Sequence, residues 1–285
     1  MKTHNEIPLE TPVKNRTKEQ NEVRLCTTLP IIEVFTSIQG EGKFVGEPSL
    51  FIRVSGCNLR CCFKDSICDT PYSSFVPEKG RNMLNKIYDE LTNHPVVTSI
   101  VITGGEPMLY AAAIDDLIDY ITEMMNNKVY FVTVETNGTL PCADDTMVDM
   151  FSISPKLSTS VPSPNKVYKD PTGKTYQFTE ERCAELNKTR FNPAATAQLI
   201  QSTETFQLKF VYSGPDSIKD IDGFLNELTE YGIEYMPGDI LLMPEGITNE
   251  LLTKNAQEAV KVCIERGWTL CDRLHIRIWG DKRGV

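Results

Sequence analysis

Four of the chain's nine cysteines crowd into twelve residues: Cys57, Cys61, Cys62 and Cys68 of "GCNLRCCFKDSICDTPYS" (56–73). Thiols rarely gather in a polar loop without chemistry. A zinc knuckle needs a second ligand pair downstream, and Cys142, Cys183, Cys263 and Cys271 are scattered through ordinary strand and helix patterns. Those four read as small buried hydrophobes. Thiolates are the standard ligands of an iron–sulfur cluster. Three of them on a four-iron cluster leave one iron open to another ligand, and one cysteine of the loop is then surplus.

"ITGGEP" (102–107) adds weight because it follows a strand-like run directly. Two glycines at a strand end let a ligand come close to the backbone, whose free N–H and C=O groups bind amino or carboxylate groups. The competing reading of a lone Gly-Gly is a tight turn.

The elements around these motifs alternate. "IIEVF", "SLFIRV", "TSIVIT", "VYFVTVET", "MFSIS", "FQLKFVY", "DILLMP" and "LHIRIW" read as strands. "TSIVIT" is β-branched at every position but Ser99, as expected of a strand buried on both faces. In "AAAIDDLIDYITEMMNN", Ile114, Leu117, Ile118, Ile121, Met124 and Met125 keep helical spacing; residues 81–93, 216–231 and 248–267 look similar. Strands alternating with helices predict a mostly parallel α/β sheet, with ligands at the carboxyl ends of its strands. Residues 1–28 read as a polar, flexible extension before a domain spanning 29–285. Residues 158–205, broken by Pro and Gly, read as an insertion or lid with one helix near Thr179–Lys188.

Composition narrows the partners. A net charge of −10 is the wrong balance for gripping nucleic-acid backbone, so a small-molecule substrate and no nucleic acid are expected. No run of eighteen apolar residues exists to span a membrane, and "MKTHNEIPLETPVKNRTKEQNEVR" has no apolar signal core. The expected location is cytoplasmic, where clustered cysteines mean metal more than disulfide.

Taken together, the chain resembles the radical S-adenosylmethionine enzymes and, within them, the 7-carboxy-7-deazaguanine synthase family. The resemblance is carried by "SIQGEGKFVGEPSLFIRVSGCNLRC", "CDTPYS", "VITGGEP", "VETNGT", "SISPKLS", "LLMPEG" and "LHIRIWGDKRGV", in the family's order. It implies a partial (β/α)6 TIM-like barrel of the radical S-adenosylmethionine type. The implied cofactors are a [4Fe-4S] cluster, S-adenosyl-L-methionine and Mg²⁺. The implied reaction begins when reductive cleavage of S-adenosylmethionine gives a 5′-deoxyadenosyl radical. 6-Carboxy-5,6,7,8-tetrahydropterin then becomes 7-carboxy-7-deazaguanine with loss of ammonia, as in queuosine-type biosynthesis. An external flavodoxin-like electron donor and a homodimer are the family expectation.

Carried over motif by motif, the resemblance gives Cys57, Cys61 and Cys68 as cluster ligands and Thr70 as the Mg²⁺ ligand. Asp69, Gly105, Glu106, Glu135, Asn137, Ser154 and Lys156 would hold S-adenosylmethionine. Ile38, Gln39, Gly40, Arg53 and Thr103 would hold the pterin, with the Arg53 fork suited to its carboxylate. No further catalytic residue is implied. The family spacing, Cys-x3-Cys-x2-Cys, would put the third ligand at Lys64. Here the cysteine before "DTPYS" comes four residues later, which predicts a longer, less preorganised loop. Cys62 is a poor ligand, because neighbours at 61 and 62 do not easily reach two irons. Each role has a plain counterpart: Arg53 as a surface ion pair, Lys156 as a solvated charge, Glu135 as a structural acid. His275 reads as a packed or hydrogen-bonded histidine, and Trp268 and Trp279 as core or interface. The competing functions are a glycyl-radical-activating enzyme and a cluster-binding homologue without this activity.

Overall fold

The computed structural model describes residues 18–63, 66–170 and 172–285. In chain order these form α1 (Lys18–Thr28), β1 (Ile31–Ile38), β2 (Pro48–Val54), β3 (Cys62–Phe63), β4 (Ser66–Ile67), α2 (Pro71–Ser74), α3 (Leu84–Asn93), β5 (Ser99–Gly104), α4 (Ala111–Met124), β6 (Phe131–Thr136) and β7 (Met150–Ile153). There follow β8 (Val167–Lys169), β9 (Thr175–Gln177), α5 (Glu180–Arg190), α6 (Pro193–Gln201), β10 (Thr205–Tyr212), α7 (Asp216–Glu230), β11 (Ile240–Pro244), α8 (Asn249–Arg266), β12 (Thr269–Leu270) and α9 (Leu274–Trp279).

One sheet of eight strands runs β1-β2-β5-β6-β7-β10-β11-β12. β1 joins β2 antiparallel, and every later pairing is parallel. The six parallel strands from β2 to β11 are the partial TIM-like barrel that the motif order implies. β6 passes to β7 without a helix.

Alternation along the strands sorts the two faces. Leu50, Ile52 and Val54, Ile100 and Ile102, Val132 and Val134, Phe151 and Ile153, and Leu208 and Phe210 face outward. They share one core with α4 (Ile114, Leu117, Ile118, Ile121), α6 (Ala197, Leu199, Ile200) and α7 (Ile221, Phe224, Leu225). The other face is buried but polar: Ser49, Ser99, Thr103, Thr133, Ser152, Gln207 and Lys209. Ser99 to Thr103 of "TSIVIT" are thus buried on both sides, with Ile100 and Ile102 on the hydrophobic side and Val101 between Ser99 and Thr103 on the other. Register builds a row across that inner face. Arg53 lies beside Thr103, and Ile102 beside Val134 sets Thr103 next to Glu135. Glu135 pairs with Ser152, and Ser152 with Gln207.

Three expectations change. "LHIRIW" is the short helix α9, not a strand; Leu274 N–H bonds Gly40 C=O at 2.8 Å, and Gly280 closes the turn on Ile276 C=O at 2.9 Å. Residues 18–28 of the supposed flexible extension form α1, which buries Leu25 and ties to α4 through Arg24–Asp116 (2.9 Å) and Tyr120–Glu22 (2.8 Å); residues 1–17 lie outside the described residues. α6, read as part of the insertion, belongs to the core. What departs from the barrel is the β8–β9 hairpin and α5, the latter capped by Thr179 Oγ1 on Arg182 N–H.

Candidate active site

The stretched spacing between Cys61 and Cys68 is a hairpin. Cys62 pairs with Ile67 and Phe63 with Ser66, and Cys68 N–H bonds Cys61 C=O at 2.9 Å. Among the described residues this pairing returns Cys68 beside Cys61 despite the longer spacing. Lys64 lies outside the described residues. Strand alternation separates the adjacent thiols. Cys61 and Cys68 line a cleft at the strand ends, while Cys62 is 2% exposed and packs on Ile67 and Tyr168 of β8. Cys57 sits behind the wall, its Sγ accepting from Leu59 N–H at 3.4 Å. Burial, reinforced by the Cys61 sulfur, pushes the thiols of Cys57 and Cys62 up to about 12. Burial, then Asp69 and Cys61, brings Cys68 to about 11. Ligation at Cys57 or Cys68 would therefore displace a proton. Among the described residues no three His, Cys, Asp or Glu side chains are placed to clasp a single metal ion. The donor set, thiols beside a buried guanidinium (Arg190 to Cys61 Sγ, 3.2 Å), suits a thiolate-bound cluster whose ligands serve separate irons.

The "GGEP" turn stitches the segments flanking the cysteine loop, the end of β2 and the start of α2, to β5. Gly105 N–H bonds Val54 C=O (3.2 Å), Glu106 N–H bonds Gly56 C=O (2.8 Å), and Gly56 N–H bonds Ser73 C=O (2.8 Å). A β-carbon on Gly105 would strike the carbonyls of Gly56 and Ser73, so the chain's own close approach requires glycine there, and Gly105 also lines the cleft. Glu106 does not. It is wholly buried, and its carboxylate accepts from Met108 N–H (2.9 Å), Thr136 Oγ1 (2.6 Å) and Asn137 N–H (2.7 Å). Glu106, expected from the motif among the S-adenosylmethionine residues, thus stands behind the cleft wall and not on it. Glu106→Gln turns one acceptor into a donor facing an N–H or O–H. It is expected to cost about 1–3 kcal/mol, read from the urea midpoint; unchanged stability would contradict this wiring. Asn137 lines the cleft, but its amide is engaged with Asn58 (2.9 Å) and Thr139 (2.6 Å), holding the cysteine loop to the end of β6.

A charged chain that sequence reading missed crosses the cleft floor. Thr103 Oγ1 donates to Glu135 Oε2 (2.6 Å), and Glu135 Oε1 lies 3.7 Å from Lys209 Nζ. Lys209 pairs with Glu41. Arg273 donates to Glu41 (2.8 Å), to Asp69 (2.6 Å) and to Gly246 C=O (2.9 Å). Burial pushes the Glu41 carboxyl up, but Lys209 and Arg273 outweigh it and hold the group far below the usual range. Burial likewise opposes the charge of Lys209, and Glu41 and Glu135 overcome it. Glu41, Lys209 and Arg273 come from three separate segments, so no local pattern announces them. His275 of α9 also faces the cleft and lies against Gly40, where a β-carbon would meet the imidazole. Burial depresses its pKa, which keeps it neutral near pH 7.

The cleft encloses about 820 Å³. Of the residues expected from sequence, Ile38, Gln39, Gly40, Arg53, Cys61, Cys68, Asp69, Thr70, Thr103, Gly105, Glu135, Asn137, Ser154 and Lys156 line it; Cys57 and Glu106 lie behind. Gln39 turns inward, its amide donating to Ser49 Oγ at 3.2 Å. Arg53 pairs with Glu33 through Nε (2.7 Å), and its other guanidinium nitrogens make no hydrogen bond among the described residues. Lys156 bonds Ser154 Oγ (2.5 Å) and meets no carboxylate at ion-pair distance among those residues. The tail closes one side: Arg283 stacks on Tyr72 (3.8 Å) and forks onto Glu78 at 2.7 and 3.0 Å. The β8–β9 tip, with Asp170, Thr172 and Lys174, closes another.

Comparison with known proteins agrees with this geometry. Residues 38–160 match the 4Fe-4S single cluster domain. The chain is 36% identical over 258 residues to a 7-carboxy-7-deazaguanine synthase of Halobacterium salinarum, covering 89% of this chain and 91% of that protein. It is 38% identical over 260 residues to one of Rhodopirellula baltica, covering 91% and 90%. The crystal structure of QueE from Escherichia coli superposes with a TM-score of 0.55 at 21% identity, over 89% of this chain and 98% of that one; this speaks for the fold. An iron–sulfur cluster domain on an open parallel barrel, with its cysteines at the strand ends, defines a radical S-adenosylmethionine enzyme. The chain belongs to the 7-carboxy-7-deazaguanine synthase family. Among the described residues no helix is long and apolar enough to cross a membrane.

Proposed function

We propose that this chain converts 6-carboxy-5,6,7,8-tetrahydropterin to 7-carboxy-7-deazaguanine with loss of ammonia. The observation that carries the reading is one cleft shared by the cysteine hairpin, the ends of β2, β5, β6 and β7, and the two cations Arg53 and Lys156. Family membership sets the glycyl-radical-activating alternative aside. When bound, the cluster and S-adenosylmethionine supply the hydrogen-abstracting radical. The chain's own residues bind, orient and exclude water.

Cys57, Cys61 and Cys68 hold the cluster. Gly105, Ser154 and Lys156 hold S-adenosylmethionine, with Glu135, Asn137 and Asp69 shaping that wall. Arg53, with nitrogens to spare beyond Glu33, takes the pterin carboxylate. Thr103, Ile38, Gln39 and Gly40 complete the pterin side. Thr70 stands next to Cys68, its Oγ1 3.3 Å from that Sγ, and offers a hard oxygen to Mg²⁺. A flavodoxin-like electron donor and a homodimer belong to the same reading.

Reconstituted protein, incubated anaerobically with S-adenosylmethionine, a reductant and the carboxypterin, is expected to form the deazaguanine acid. Mg²⁺ should raise the rate, and Thr70→Ala should lose that response. 5′-Deoxyadenosine formed without the deazaguanine acid would contradict the substrate assignment while keeping the enzyme class.

A further inference from the structure

Arg190, the last residue of α5, is among the largest side chains fully buried in the protein, at 2% exposure. Its Nη1 donates to Cys61 Sγ (3.2 Å) and Ser160 Oγ (2.8 Å), and its Nη2 to Arg60 C=O (3.3 Å). Nε has no partner among the described residues, and no carboxylate of those residues stands at ion-pair distance from the guanidinium. A cation taken out of water without a counter-charge is costly. Among the described residues every oxygen it meets is neutral, and the thiol it donates to is that of Cys61; Cys62 also feels its charge but accepts no hydrogen bond from it. Arg190 comes from the segment that departs from the barrel. Tyr168 of β8 packs on Cys62 and Ile67, and Tyr176 of β9 packs edge-on to Phe75 at 4.9 Å, so the same segment braces the hairpin twice more.

We propose that Arg190 is the built-in counter-cation of the cluster. It fixes the Cys61 sulfur, neutralises the charge that ligation places there and raises the reduction potential of the bound group. The inference rests on Cys61 being a ligand. Arg190 is then a positioning residue, and the insertion a support for the redox centre and not merely a lid. The sign follows from charge. The reduced cluster carries one more negative charge than the oxidised one, so a fixed cation favours reduction, and outer hydrogen bonds to cluster sulfurs tune potential in this way.

The test compares wild type, Arg190→Met and Arg190→Lys after anaerobic reconstitution, with EPR-monitored redox titration and thermal unfolding of each protein with and without cluster. At a fixed ambient potential the reduced-to-oxidised ratio in Arg190→Met is expected to fall about tenfold, equivalent to about 59 mV for one electron; Arg190→Lys restores part of it. Without cluster, Arg190→Met should unfold no earlier than wild type, whereas its gain in Tm on loading should be smaller. A folded Arg190→Met that holds no iron, while Arg190→Lys does, also supports the proposal. Equal potentials in all three proteins overturn it. So does Arg190→Met unfolding equally early with and without cluster, or failing to fold without it, because the arginine is then only structural. Wild type that takes up no iron contradicts the cluster site itself, not the role of Arg190.

Discussion

Alanine at Cys68 is expected to strip the chain of its cluster. Iron after anaerobic reconstitution should fall from about four per chain to near background, and 5′-deoxyadenosine formation at least about 100-fold, since even changes outside the ligand shell cost 10–100-fold. Alanine at Cys62 is expected to leave both at the wild-type level and to cost about 1 kcal/mol of packing. The contrast comes from the hairpin. Cys61 and Cys68 are neighbours at its base and line the cleft, whereas Cys62 and Ile67 form the next pair and turn to Tyr168. Equal iron in Cys68→Ala and wild type would remove Cys68 as a ligand.

Arg273→Met is expected to lower stability by about 3–5 kcal/mol at pH 7, the range for breaking a buried ion pair by removing one partner. Most of this comes from Glu41, whose side chain is 14% exposed; Asp69, at 37%, faces the open cleft, where water screens its pairing. Both carboxyls are held below their ordinary values in the folded chain, against the pull of burial, with Arg273 a main cause. Their contribution is therefore complete above the ordinary carboxylate range and is lost as pH falls from there toward the depressed values. The deficit of Arg273→Met, read from urea midpoints, should shrink from pH 7 to pH 4. A deficit that stays constant would mean that Arg273 acts through packing alone. Activity should fall as well, because the same guanidinium ties Asp69 of the cysteine loop to the C-terminal segment.

The barrel strands were legible because each is a run of four to eight residues rich in β-branched and aromatic side chains. Motifs at their ends placed most of the cleft wall for the same reason: a parallel sheet gathers the carboxyl ends of its strands. Three kinds of information were not local. "LHIRIW" alternates apolar residues as a strand would, and six residues are too few for periodicity to separate the two states; its helical form depends on Gly40, more than two hundred residues earlier. α6 is short and follows a polar stretch, so its burial against β7 and α7 left no mark at its edges. The charged chain through Glu41, Lys209 and Arg273 joins positions 168 and 232 residues apart, a pairing that only the folded sheet creates. The hairpin between Cys61 and Cys68 was seen as extra length, because two-residue strands fall below any pattern.

On the proposed function, the crowded cysteine loop holds a cluster with one iron open toward the cleft where S-adenosylmethionine binds. Low-temperature EPR of the reconstituted, reduced protein, recorded with and without S-adenosylmethionine, tests it most directly. The expected result is the spectrum of one reduced four-iron cluster that changes shape when S-adenosylmethionine is added. A spectrum identical in both samples, or no cluster signal with Cys57, Cys61 and Cys68 intact, would contradict it.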